Sequence, residues 1–356
     1  MPIDTPWAPR AALAAAGPGA PLELTTVERR EPGPHDVVID IAHTGICHTD
    51  IALLRNHWME GLFPMVPGHE ITGTVVAAGP GATRHAVGDR VGVGCYVDSY
   101  RACENCLAGQ EQHCLKGEVL TFGALDYDRR PTFGGYSRRI VVDENYVLRI
   151  PDGLGLDVAA PLLCAGVTMY APLRRWGAGP GRKVAVVGMG GLGHIGVKMA
   201  HAMGAEVTVL GRSVSKREDG LRFGADAYVS TGDASWFRDH GRSFDLIVNT
   251  VSGGIDTNAC LRLLRLDGVL VNAGVTAEAA TFQGMLLGDP RRIITSTKNG
   301  GIRETQEMLE FCARHGIVAD IETVPADRVD TALDRLERGD VRYRFVIDVS
   351  TLGQAG

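Results

Sequence analysis

At 356 residues, with 45% hydrophobic and 22% charged side chains, the chain has a globular composition and the length for two domains. A formal net charge of -6 argues against a nucleic-acid partner, whose phosphates want a basic face. No apolar run approaches the roughly 20 residues that span a bilayer, so no membrane partner is expected.

Taken in chain order, residues 11–20 are Ala-rich but broken by Gly17, Pro18 and Gly19, which makes a poor signal peptide. Short β-type runs follow at 37–41, 71–78, 90–94 and 140–150, separated by Gly, Pro and polar clusters. They predict an irregular, mostly antiparallel β-domain. Eight cysteines are too few for a disulfide scaffold in a chain this long, and four of them crowd between Cys95 and Cys114. That crowding reads as metal binding in a reducing compartment, so a cytoplasmic location is expected.

The texture changes after Pro151-Asp152-Gly153. Helical patterns then alternate with continuous apolar runs at 184–187, 207–210, 246–251, 269–271 and 293–294. Fully apolar strands between helices predict a parallel sheet covered on both faces. The last 50 residues return to mixed character, with a helix around 305–315 and a final strand at 344–349. Most of the 46 glycines are turn residues.

One glycine cluster reads differently. The pattern G-x-G-x-x-G occurs at Gly188, Gly190 and Gly193, with Gly191 and Leu192 between them. Alone it is weak. Here an apolar strand precedes it, a helix through Ala202 follows, and another strand starts at Glu206, which is the context of a dinucleotide site. Gly188 allows a tight turn, Gly190 lets the backbone approach a pyrophosphate, and Gly193 allows close packing beside free helix-start N–H groups. At the end of the second strand an acid would bind the ribose hydroxyl of NAD, and a cation would accommodate the extra phosphate of NADP. The sequence Leu210-Gly211-Arg212-Ser213-Val214-Ser215-Lys216-Arg217 has no acid until Glu218. Arg212, Lys216 and Arg217 supply charge and Ser213 a hydroxyl, so NADP(H) is expected. A plain solvated basic loop is the alternative.

Three separate segments carry metal-type ligands: Cys47 in Gly45-Ile46-Cys47-His48-Thr49-Asp50, His69 with Glu70, and Cys164. Spacing alone does not bring them together, and a lone buried cysteine is more often packing. These motifs, with Pro67-Gly68-His69-Glu70, Gly88-Asp89-Arg90-Val91 and Ala160-Pro161-Leu162-Leu163-Cys164-Ala165-Gly166, resemble those of the zinc-dependent medium-chain dehydrogenases. The resemblance is specifically to the cinnamyl alcohol dehydrogenase group. It continues through the glycine turn, Glu304-Thr305-Gln306-Glu307-Met308-Leu309 and Asp340-Val341-Arg342-Tyr343-Arg344-Phe345-Val346, so it covers essentially the whole chain.

The resemblance implies an α/β fold. A GroES-like, β-rich catalytic domain at 1–157 and 297–356 would be interrupted by a Rossmann domain, a doubly wound parallel sheet, at 158–296. It implies that Cys47, His69 and Cys164 ligate a catalytic zinc, with Glu70 beside the metal and able to ligate it when substrate is absent. Two thiolates and an imidazole are a known alcohol dehydrogenase ligand set. Asp50 would orient a ligand. Zinc would polarise a carbonyl oxygen and NADPH would deliver hydride to its carbon. Thr49 matches the proton-relay hydroxyl of the family. Many relatives extend that relay with a histidine where this chain has Ala52, so His48, His57 or water would stand in. Thr168, Thr250, Val275 and Arg344 would line the cofactor, with the Arg344 fork on the pyrophosphate.

Cys103, Cys106 and Cys114 resemble the structural zinc loop of the family, which has four cysteines. The first stands three residues before Cys103, and that residue is Tyr100. Structural zinc sites are four-coordinate, so three thiolates are one short. Cys95, Asp98 and His113 are the available substitutes, none at the expected spacing, and occupancy stays open. Trp58 and Phe122 are either an apolar substrate wall or ordinary core. Lys298 and Asn299 replace the apolar or uncharged residues of relatives and suggest an anionic or hydroxylated substrate, unless Lys298 is simply a solvated lysine.

The expected activity is an NADP(H)-dependent alcohol dehydrogenase or aldehyde reductase, acting on a small-molecule aldehyde or alcohol, aromatic or of medium chain length. Reduction of an iminium or an activated C=C bond is the alternative, motivated by the missing relay histidine and the polar residues. A non-catalytic nucleotide-binding protein is the third reading, opposed by the intact Cys47, His69, Glu70 and Cys164. The resemblance also suggests a homodimer.

Overall fold

The computed structural model describes residues 8–275 and 279–353. Contacts divide the chain into Met1–Cys164 with Gly300–Gly356, and Ala165–Asn299. These divisions fall a few residues beyond the boundaries read from sequence at 157/158 and 296/297.

In the first unit the sheet is organised around the strand Asp36–Ile46, whose sequence DVVIDIAHTGI is buried along most of its length. It is buried because it is paired on both edges. Ile71–Ala78 runs antiparallel along one edge, while Arg139–Asp143 and then Arg344–Asp348 share the other. Arg90–Val93 and Leu148–Arg149 extend the sheet beyond Ile71–Ala78, and Ile321–Pro325 joins Arg344–Asp348 in parallel. The apolar run at 140–150 is thus two strands, split by the 3-10 turn Glu144–Tyr146. A hairpin of Arg10–Ala15 and Leu22–Val27 stands apart. Ile39, Ile71 and Phe345 are fully buried in this core, each stabilising the fold by roughly 1.5–3 kcal/mol relative to exposure.

The register of the central strand decides what meets at its end. Thr44 faces Ile71 and Ile46 faces Phe345. Cys47, just beyond the strand, therefore sits beside His69 and Glu70, just before Ile71, and beside Arg344, just before Phe345.

The second unit is a six-stranded parallel sheet. Its order is Ala227–Ser230, Glu206–Gly211, Lys183–Val187, Phe244–Asn249, Leu264–Asn272 and Ile293–Ser296. The order steps outward in both directions from Lys183–Val187, the doubly wound arrangement that places a nucleotide at the point of reversal. Ala227–Ser230 has no counterpart in the apolar runs read from sequence. Its four residues, AYVS, are too short and mixed to make an apolar run. Ala185, Ile247 and Leu270 form its buried layer with Leu261 and Leu263 of the helix Thr257–Leu263. Among the described residues no single helix is long and apolar enough to cross a membrane.

Candidate functional site

Cys47, His69, Glu70 and Cys164 converge in the first unit, each offering a ligand atom within 4.8 Å of the others. Three local devices bring them there. Cys47 caps the helix His48–Leu54, its N–H donating to Asp50 Oδ2 at 2.8 Å. Gly68 adopts φ +102, and its N–H donates to Asp50 Oδ1 at 3.1 Å. A side chain at Gly68 would be strained there and would press its Cβ to 2.7 Å from the Tyr136 ring. Cys164 ends the 3-10 turn Ala160–Leu163.

Asp50 does more than cap. Its Oδ1 also faces His69 Nδ1 at 3.3 Å, and Tyr136 Oη donates to Oδ2 at 3.3 Å. With Nδ1 so held, His69 Nε2 points into the cluster, buried and without a hydrogen-bond partner. A buried ring nitrogen left unpaired costs about 1–3 kcal/mol unless something else satisfies it. Phe122, fully buried, stacks on the His69 ring at 5.7 Å and fixes its plane.

The electrostatics are those of a cation site. A hydrogen bond from the Cys164 thiol holds Cys47 well below its ordinary value, and the same contact pushes Cys164 well above its own. Burial works against a charged His69, but Asp50 outweighs it and raises the ring well above its usual value. Burial pushes the Glu70 carboxyl up to about 8, against the pull of Arg344. Two sulfurs, an imidazole nitrogen and a carboxylate in a dry cluster suit zinc, which prefers such borderline-soft donors.

In the second unit the glycine turn sits between Lys183–Val187 and the helix Gly193–Ala202. Gly188 has φ +92, and a Cβ there would press within 2.7 Å of Thr250 Oγ1. A Cβ on Gly193 would collide with the Gly188 carbonyl, whereas one on Gly190 would meet nothing within 4 Å. That open space above Gly190 fits a pyrophosphate. Thr250 Oγ1 donates to the Val187 carbonyl at 2.8 Å and ties the next strand to the turn.

At the end of Glu206–Gly211, any side chain on Gly211 would collide with the Tyr228 hydroxyl. That hydroxyl donates to the Ser213 carbonyl at 3.0 Å. The last position of that strand is thus closed to side chains, an acid included. Arg212 and Ser213 are exposed just beyond it, and Lys216 Nζ donates to the Met189 carbonyl in the glycine turn at 3.0 Å.

Comparison with known proteins decides the family. The model of the alcohol dehydrogenase GroES-like domain matches residues 33–152, and that of the zinc-binding dehydrogenases matches 191–314. The chain is 56% identical over 333 residues to the probable formaldehyde dehydrogenase AdhA of Bacillus subtilis, covering 94% of this chain and 95% of that one. It is 55% identical over 342 residues to the NADP-dependent alcohol dehydrogenase C 1 of Mycolicibacterium smegmatis, covering 96% and 98%. The solved cinnamyl alcohol dehydrogenase of Sorghum bicolor superposes with a TM-score of 0.94 at 40% identity, covering 98% and 100%. The chain belongs to the zinc-binding medium-chain dehydrogenases, in the cinnamyl alcohol dehydrogenase-like group.

Within this dehydrogenase, Thr49 Oγ1 lies 3.6 Å from Cys47 Sγ, His48 is exposed on the same helix, and Ala52 is buried. His57 is exposed beyond the helix end. Trp58 is partly exposed, whereas Phe122 belongs to the core against His69. Thr168 Oγ1 donates to the Lys298 carbonyl at 3.4 Å, Lys298 is exposed, Asn299 is buried with Oδ1 unpartnered, and Val275 is exposed.

Arg344, read from the sequence as a cofactor residue, has a partner in the first unit that the sequence did not announce. Its guanidinium is 3% exposed, and its Nε is buried without a hydrogen-bond partner. Nη2 donates to both Glu70 oxygens, at 2.6 Å to Oε2, and to the Ile46 carbonyl at 3.0 Å. The partner is Glu70, fully buried, whose carboxyl is helped to ionise by the Arg344 charge against the cost of burial. No sequence signal links residues this far apart except the strand register that emerges on folding.

The cysteine lobe brings together the three thiols read from the sequence. Cys103, Cys106 and Cys114 come within 4.8 Å of one another, but no fourth ligand joins them among the described residues. Cys95 lies against Cys164 instead. Asp98 Oδ1 accepts from Ser99 N–H and from Arg101 Nε, and His113 is exposed outside the cluster.

Proposed function

We propose that this dehydrogenase interconverts an alcohol and an aldehyde using NADP(H), with Cys47, His69 and Cys164 holding a catalytic zinc and Glu70 beside it. The observation that carries the reading is the unpartnered, buried His69 Nε2 within 4.8 Å of the thiols of Cys47 and Cys164. When bound, zinc supplies a Lewis acid for the reacting oxygen and the nicotinamide supplies the hydride. Asp50 holds His69 in the tautomer that leaves Nε2 available to a metal. Thr49 carries the proton of the reacting oxygen, and from there His48 or water passes it to solvent. Names of the relatives point to alcohol and aldehyde chemistry, so reduction of an iminium or C=C bond is not favoured. A panel of aliphatic and aromatic aldehydes with NADPH tests the activity, and a protein that oxidises NADPH with none of them would overturn it.

The first unit takes the catalytic role and the second the nucleotide. Gly188, Gly190, Gly191, Leu192 and Gly193 cradle the pyrophosphate, with Thr168, Thr250 and Val275 along the cofactor. Arg212, Ser213 and Lys216 take the 2′-phosphate, and Gly211, closed by Tyr228, supports that choice. NADPH is therefore expected to be preferred over NADH. Arg212→Ala should lower kcat/KM for NADPH by about 10–100-fold, the worth of one or two charge-assisted hydrogen bonds. It should leave the value for NADH nearly unchanged, and an equal loss with both cofactors would remove Arg212 from the phosphate site.

A homodimer is the proposed assembly. Ile293–Ser296 is an end strand of its sheet, Ile293 is 40% exposed, and nearby in sequence Met285 is 91% exposed. Bare apolar strand edges are pairing surfaces unless covered. Light scattering should read twice the 38.0 kDa of the chain, and Ile293→Asp should halve it; a monomeric mass for the unaltered protein would end the proposal. All eight cysteines are free thiols, which suits the cytoplasm.

A further inference from the structure

Loss of a fourth cysteine usually raises the question of whether a metal lobe survives at all. In this chain the lobe is still built as though metal-loaded. Leu115 N–H donates to Cys103 Sγ at 3.5 Å, and Tyr100 N–H donates to Cys114 Sγ at 3.3 Å. Ser99 Oγ lies 3.2 Å from Cys106 Sγ. Donors aimed at sulfur offset thiolate charge, which is what three thiolates sharing a cation call for. The antiparallel ribbon Tyr96–Asp98 with Val119–Leu120 joins the two ends of the segment that carries the three cysteines.

The missing corner is not refilled from the chain. Tyr100, where a fourth sulfur would stand, turns outward: its ring is 41% exposed and lies under Lys116 Nζ at 3.5 Å. The Tyr127 hydroxyl faces Cys114 but donates to the Gly117 carbonyl at 2.8 Å. Cys95, Asp98 and His113 are all engaged or directed elsewhere. Cys103 is the partly exposed member of the three, so solvent reaches the cluster from its side.

We propose that Cys103, Cys106 and Cys114 form a three-sulfur zinc site whose fourth corner is open to solvent and small soft ligands, so that its zinc exchanges much faster than the buried one. Such a site departs from the closed, four-coordinate structural zinc. Its occupant at the fourth corner is water or a small thiol, and a small thiol accelerates departure of the metal.

Freshly purified full-length protein should carry about two zinc ions per chain. Mixed with a chromogenic zinc chelator, it should release one equivalent fast and one slowly. Added 2-mercaptoethanol should speed only the fast phase. Tyr100→Cys, which restores the fourth sulfur, should slow the fast phase by about tenfold or more and remove its response to 2-mercaptoethanol. Cys106→Ser should abolish the fast phase and leave the slow equivalent. Tyr127→Phe should change neither phase. One zinc per chain even after zinc supplementation would overturn the proposal, as would a fast phase that Tyr127→Phe removes. So would two equally slow equivalents in the unaltered protein. None of these measurements reads turnover, so a failed assignment of the catalytic reaction leaves the proposal standing or falling on its own.

Discussion

His69→Ala should remove one zinc per chain and lower kcat/KM with NADPH and a good aldehyde by about 10³–10⁴-fold. The magnitude follows from the loss of a Lewis acid that contributes several kcal/mol, at about 1.4 kcal/mol per tenfold. Asp50→Asn separates ligand from positioning residue. The asparagine keeps the size of the side chain, and its Oδ1 can still accept from the Cys47 N–H at the helix cap. It loses the negative charge that holds His69 Nδ1. Metal affinity should then fall by about 10–100-fold, with activity returning as zinc is added. Mass spectrometry of the native protein and a zinc titration of activity read both effects. A His69→Ala protein that kept two zinc ions, or an Asp50→Asn protein as dead at saturating zinc as His69→Ala, would break the assigned roles.

That distinction was partly legible in the sequence. Cys47, His69 and Cys164 were identified through motifs in order, because their separations of 22 and 95 residues carry no geometric information until the strands pair. Asp50 was legible for the same reason, yet its second task, capping the helix His48–Leu54 through Cys47, needed the backbone. The doubly wound sheet announced itself through continuous apolar runs, since strands buried on both faces have no alternation to disguise them. Ala227–Ser230 escaped because a short strand with one strongly apolar β-former looks like loop. Cys95 looked like part of the cysteine lobe by proximity in sequence, but the chain turns between Cys95 and Tyr96 and leaves its thiol against Cys164. Tyr100 showed plainly that a ligand was missing. What the sequence withheld was whether a neighbour fills the gap, which depends on where Asp98, His113 and Tyr127 spend their hydrogen bonds.

Arg344→Met should destabilise the metal-free protein, and by up to about 1.4 kcal/mol more at pH 9 than at pH 6, one pH unit above a folded pKa of about 8 being worth about one tenfold. Methionine fills much of the volume, so lost packing is the smaller part. Glu70 then remains fully buried with no counter-charge, and it cannot turn to water. The pH dependence identifies the cause. Burial raises the folded-state pKa of Glu70 to about 8, above its ordinary 4.5, so proton uptake favours the folded state. The stability contributed by that proton is complete below the unfolded pKa and is lost as pH rises through the folded one. Removing Arg344 lifts the folded pKa further, so the gap between variant and parent should open above about pH 8 and narrow towards pH 6. Urea unfolding of chelator-treated protein at both values measures it. Glu70→Gln added to Arg344→Met supplies a neutral group of the same shape and should recover part of the loss. If the double variant were no more stable than Arg344→Met alone, or if the gap were the same at pH 6 and pH 9, the Arg344 fork would be holding something other than the Glu70 charge.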